Sequence, residues 1–197
     1  MQTFDWLNPL ISGAVGIVGV FVGGWLTGSH QRNERRSRFL QLQLSEFYAP
    51  LQGIRLKIIA KTGIRQKVHN TAGVEWPHLI EAAEQRSSEA VERVCQERGP
   101  EWDRVIDYDN RQWTDEIFPL YRDMLNMFSI RMHLAEPSTR AHYPALVEFV
   151  EIWERWQAGS LPREVPQRLD HSEENLAVLY EDLKVEFERL QNSLKAG

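Results

Sequence analysis

The 197-residue chain has one cysteine, Cys95, so no intrachain disulfide can form, as expected of a chain from a reducing compartment. Cys95 sits beside Val91 and Val94 on a segment of helical pattern, where it reads as a small buried apolar residue. Alternating apolar and polar runs are missing, which leaves no strand candidates. Also missing are H-E-x-x-H, a paired C-x-x-C, G-x-S-x-G, a Walker loop and G-x-G-x-x-G. Catalytic residues, metal ligands and cofactors are therefore all expected to be none. Asp107-Tyr108-Asp109 fails as a calcium loop, because Arg111, Gln112 and Phe118 occupy positions that need a ligand, a glycine and a bidentate Glu. No Arg is followed by a His with four to six residues between them, the spacing that the helical ribonucleases called HEPN require; Arg65 and His69 have three between.

Basic charge is scarce overall, and the net charge is −5, which argues against nucleic acid as a partner. What there is of it is polarised. Residues 30–70 carry nine Lys/Arg against Glu34 and Glu46, whereas residues 71–197 carry 14 bases against 25 acids. From Trp6 to Gln31 there is no Asp, Glu, Lys or Arg. Within that stretch the twenty residues PLISGAVGIVGVFVGGWLTG span about 30 Å as a helix, the thickness of a bilayer's hydrocarbon core. Arg32, Arg35, Arg36 and Arg38 follow it, in the reverse order to a signal peptide.

The expectation from this pattern is a single-pass protein of the inner (cytoplasmic) membrane with the lipid bilayer as a partner. Residues 1–8 would form a short outer N-terminus and 9–29 a transmembrane helix. Residues 30–38 would be a basic juxtamembrane stretch and 39–197 a cytoplasmic α-helical domain. Ser12, Gly16, Gly19, Gly23 and Thr27 fall within about 80° on a helical wheel, a small face suited to close helix packing. That face predicts association with a second copy or with another membrane protein.

Beyond the span, apolar residues step at helical spacing. Leu40, Leu44, Phe47, Leu51, Ile54 and Ile58 form one seam, and Leu176, Tyr180, Leu183, Phe187, Leu190 and Leu194 another. Three further helices are expected between them: Pro77–Arg98, stopped by Gly99-Pro100, then Ile117–Ala135, then Ser138–Gln157. Pro144 can delay the start of the third by a turn. Met124, Met127 and Met132 read as core filler. Pro119 fits only a first turn, and Pro50 should kink or split its helix. The last helix should open at Asp170 or Ser172. Trp76 and Trp102 fall in loop-like stretches and read as local caps on the core, and Trp153 and Trp156 as core residues. The expected fold is all-α: one transmembrane helix and a bundle of about five helices.

His133, Glu136, Arg140, His142 and Tyr143 gather around the turn at Pro137. They can form a satisfied polar turn, or a site for a ligand or an acid–base pair.

The stretch Arg38-Phe39-Leu40 with Gln43-Leu44-Ser45-Glu46-Phe47-Tyr48-Ala49-Pro50-Leu51 resembles a pattern in bacterial single-pass membrane proteins of unknown function. In these a span and a basic stretch precede an F-Y-x-P-L helix. Leu134–Arg140 (LAEPSTR) and His171-Ser172-Glu173-Glu174 are similar to stretches in the same group. The resemblance implies a bacterial inner-membrane setting and carries no activity. The leading expectation is a membrane-anchored, non-enzymatic assembly or interaction protein. The alternatives are a membrane-perturbing or pore-forming effector, and a ligand sensor or enzyme using the His133–Tyr143 turn.

Overall fold

The structure is a computed structural model that describes residues 33–162, 164–165, 168–169 and 172–196. All regular structure among these residues is helical. Four long elements carry the fold. Helix α1 covers residues 33–84, made of 33–43, a π-helical turn at Leu44–Tyr48 and Ala49–Glu84. Helix α2 covers residues 88–131: Ser88–Gln112, a second π-helical turn at Trp113–Ile117, and Phe118–Arg131. Helices α3 (Tyr143–Gln157) and α4 (Ala177–Ala196) complete the set.

The tight corner at residues 85–87 folds α1 and α2 into an antiparallel hairpin. Ser87 caps α2, its hydroxyl accepting from the Ala90 N–H at 3.2 Å, in the usual role of an N-cap serine. The base of this hairpin joins α3 and α4 in a bundle. Its core holds Phe47, Tyr48, Leu51, Ile117, Phe118, Tyr121, Phe128, Leu146, Leu176, Leu183 and Leu190, none more than 1% exposed or so. The distal half of the hairpin is a two-helix arm. From residue 59 to 112 only Ala83 and Asp109 are buried. Small half-buried residues (Ala72, Ala90, Val91, Val94, Val105) and the edge-to-face pair Trp76–Trp102, 5.5 Å apart, line the contact between its helices.

The two π-turns share a cause. Each ends one residue before an X-Pro step, at Ala49-Pro50 and Phe118-Pro119. Proline offers no N–H to the carbonyl four residues back, and its ring clashes with it. A wider turn, in which Ala49 N–H bonds Leu44 O and Phe118 N–H bonds Trp113 O, moves those carbonyls aside without ending the helix. The extra residue also turns two consecutive side chains inward: Phe47 with Tyr48, and Ile117 with Phe118, all 0% exposed. Pro50 therefore widens its helix and does not split it.

Several expectations are corrected. The two seams hold, but the helices between them are fewer and longer, so the bundle has four long helices and not five. Pro77 does not open a helix and Gly99-Pro100 does not stop one; α1 and α2 run through them. Pro77 and Pro100 both face solvent, where a helix relieves the ring clash by bending, and the Trp76–Trp102 contact across the arm holds both sides in line. Trp76 and Trp102 thus lie on helices. Cys95 is exposed and not buried, because the arm has no interior at that level. Ser138 lies in a separate short helix, Pro137–Arg140, and α3 starts at Tyr143 with Pro144 in its first turn. Ser172 precedes a 3-10 turn, Glu173–Leu176, that leads into α4, while Asp170 lies outside the described residues.

The membrane expectation is also corrected. Among the described residues no helix is long and apolar enough to cross a membrane. Ala49–Glu84 is long enough at 36 residues, yet Arg55, Lys57, Lys61, Arg65 and Lys67 interrupt it. The expected span 9–29, its face Ser12, Gly16, Gly19, Gly23 and Thr27, and Arg32 lie outside the described residues. Arg35, Arg36 and Arg38 are exposed on the first turns of α1. Single-pass topology, a cytoplasmic domain and inner-membrane residence have no support in the fold.

Candidate functional site

Helix α1 has two working faces in the arm. One packs on α2: Ile58, Thr62, Arg65, Ala72, Trp76, Leu79 and Ala83, all buried or half-buried. At 100° per residue, the opposite face carries Leu56, Ala60, Gly63, Lys67, Asn70 and Val74, within about 80° of one another. These residues step by 4, 3, 4, 3, 4 and all are exposed. Leu56 is 64% exposed and Val74 56%, with Ile64 (63%) and Ile59 (47%) flanking the seam. An ordinary surface helix keeps its apolar residues on one side and charges the other. In α1 apolar side chains occupy both, so one packing face is satisfied within the chain and the other is not. Nothing lies within 4 Å of where a side chain would begin at Gly53 or Gly63, so the backbone there is open to close approach.

At the other end of α1 a polar knot ties the bundle shut. Glu136 N–H donates to the Tyr48 hydroxyl at 3.0 Å. That hydroxyl lies 2.9 Å from Thr139 Oγ1, which donates to Asp182 Oδ2 at 2.5 Å. With the threonine proton committed to the carboxylate, Tyr48 must donate to Thr139, and a chain of aligned donors runs from the Glu136 amide to Asp182. Gln43 Nε2 donates to Leu134 O at 2.8 Å and to Glu136 Oε1 at 3.2 Å, and Arg189 Nη2 reaches the same carboxylate oxygen at 2.8 Å. Tyr48 and Thr139 are both 0% exposed. No substrate can reach them, so the knot fixes the turn after α2 onto α1 and α4. Burial pushes the Tyr48 hydroxyl above its ordinary range.

Tyr121 and Tyr180 are also closed in, and burial raises both far above an ordinary phenol, with Glu173 adding to the effect. Tyr180 OH donates to Glu173 Oε1 at 3.2 Å, and its ring lies under the Arg55 guanidinium, 4.9 Å away.

Comparison settles no kinship. No family model, no curated protein and no solved structure matches the chain.

Among the described residues no side-chain hydrogen bond, ion pair or ring contact joins any two of the five residues grouped around Pro137, though the Arg140 N–H donates to the Glu136 carbonyl at 3.0 Å. Glu136 belongs to the polar knot, and Tyr143 packs on Phe128 with ring centroids 5.3 Å apart. His133 and Arg140 are exposed, and His142 precedes α3 half-buried. Among the described residues no group of three or more His, Cys, Asp or Glu could hold a metal. Sequence reading missed Gln43, Tyr48, Thr139 and Asp182 as one network. A signal was present: Gln43 and Tyr48 lie in the stretch Gln43–Leu51 that ends in F-Y-A-P-L, and Leu134, Glu136 and Thr139 in LAEPSTR, so two of the motifs behind the resemblance meet in space. The exposed seam of α1 does not stand out in the sequence because Ala60, Gly63, Lys67 and Asn70 separate its two large apolar residues, Leu56 and Val74.

Proposed function

We propose that this protein is a non-enzymatic assembly protein that pairs with a second copy of itself through the outer face of α1. The observation that carries this reading is the exposed seam Leu56, Ala60, Gly63, Lys67, Asn70 and Val74, with Ile59 and Ile64 on its flanks, opposite a face already used within the chain. A two-fold pairing of antiparallel α1 helices centred at residue 65 matches large to large and small to long. Leu56 meets Val74, Ala60 meets Asn70, and Gly63 leaves room for the Lys67 stem. The polar Lys67 and Asn70 within the seam would fix its register, as single polar residues do in coiled coils.

The overlap from 56 to 74 is about 27 Å of helix, a small interface, so association should depend on concentration. Sedimentation velocity of the full chain should show a mass rising toward twice 23.0 kDa as concentration increases. Leu56→Glu with Val74→Glu should hold the protein at the single-chain mass with unchanged helical circular dichroism. Equal masses for wild type and double variant at every concentration would overturn the proposal.

A further inference from the structure

Where the arm meets the bundle, Arg65 of α1, Asn110, Trp113 and Thr114 of α2, and Trp153, Trp156 and Gln157 of α3 surround a groove of about 600 Å³. That volume is within the range that takes a small organic ligand. We propose that this groove binds a planar aromatic molecule carrying one anionic group, such as an aryl carboxylate or an aryl phosphate.

Three features select that chemistry. Three of the seven lining side chains are indoles: Trp113 and Trp153 pack on each other with ring centroids 4.7 Å apart, and Trp156 is 40% exposed. Flat apolar faces of this kind favour stacking by another ring. The ionised group in the described lining is Arg65, whose guanidinium lies over the Trp113 ring at 5.8 Å, and no carboxylate lines the groove or pairs with it among the described residues. A cage of indoles alone would suit a quaternary ammonium ligand. Arg65 repels a cation and offers a planar fork to a carboxylate or phosphate. Finally, Trp113 Nε1 is buried with no hydrogen-bond partner. A buried indole N–H without an acceptor is costly, and an anionic oxygen held by Arg65 beside that ring is a suitable acceptor.

Calorimetric titration of the full chain with naphthalene-2-carboxylate and with its neutral amide tests the inference. The carboxylate should bind saturably, one per chain, and at least tenfold more tightly than the amide. Arg65→Gln should remove that preference, and Trp156→Ala should weaken both ligands by a similar factor. The Leu56→Glu/Val74→Glu variant should bind as wild type does, which separates this groove from the pairing seam. No saturable heat from the carboxylate up to millimolar concentration, equal binding of acid and amide, or a preference that survives Arg65→Gln would overturn it. If Arg65→Gln fails to fold, unchanged affinity in Trp156→Ala overturns it equally.

Discussion

Above pH 10 the bundle should lose stability at about 3 kcal/mol per pH unit, so that about 6 kcal/mol is gone by pH 12, enough to unfold a chain at the lower end of ordinary stability. The slope comes from Tyr121 and Tyr180, which burial holds protonated far above the ordinary phenol range. In the unfolded chain both release their protons near pH 10, while in the folded chain both keep them. The unfolded state then binds fewer protons, so stability is fully present below pH 10 and falls as pH rises. Tyr48, shifted in the same direction by burial, adds to the fall. Urea midpoints measured from pH 8 to 11 should be level to about pH 9.5 and then drop, with phenolate absorbance rising together with helix loss. Tyr121→Phe with Tyr180→Phe should flatten the slope. Phenolate formed by every tyrosine near pH 10 with helicity intact would show that these rings are open to solvent.

Phe128→Ala should destabilise the protein by about 3–5 kcal/mol, the range for emptying a closed aromatic site. Phe128 is 0% exposed, meets Phe47 edge-on at 5.2 Å and Tyr143 at 5.3 Å, and so links α1, α2 and the start of α3. Leu56→Ala removes a leucine from a site 64% exposed and should leave the stability of the single chain nearly unchanged. Urea denaturation at low protein concentration separates the two cases. A cost below 1 kcal/mol for Phe128→Ala would mean that the core packs around some other centre.

The contrast between these substitutions shows what a reader of the sequence could see. The seams Leu40–Ile58 and Leu176–Leu194 were legible because each is a regular repeat whose residues are nearly all buried or half-buried in the fold. The connectivity was not, because it depends on prolines whose effect is decided by context. Gly99-Pro100 reads as a stop from local rules, yet α2 passes through it with Pro100 facing solvent. Pro50 reads as a kink or a split and Pro119 as the first turn of a new helix, yet each is absorbed by a wider turn within a continuous one. Tertiary packing overrode local preference at each of these points.

The sites divide along the same line. His133, Glu136, Arg140, His142 and Tyr143 are close in sequence, and closeness in sequence suggested a cluster. No side-chain hydrogen bond, ion pair or ring contact joins any two of them, whereas Tyr48, Thr139 and Asp182 meet from three distant segments. The groove beside Arg65 was illegible for the same reason, since its walls come from α1, α2 and α3. The exposed seam of α1 was legible in principle. Its residues repeat at helical spacing on the side opposite a buried stripe, and a test for two apolar faces on one helix would have found it.

The antiparallel pairing of α1 can be read directly by cysteine cross-linking, because Cys95 is the chain's one thiol and is exposed. In a Cys95→Ser background, chains with Leu56→Cys are mixed with chains with Val74→Cys under mild oxidation. Pairing about residue 65 predicts that the mixture gives a covalent heterodimer, while either variant alone stays single. Cross-links within the Leu56→Cys sample, or none in the mixture, would contradict it.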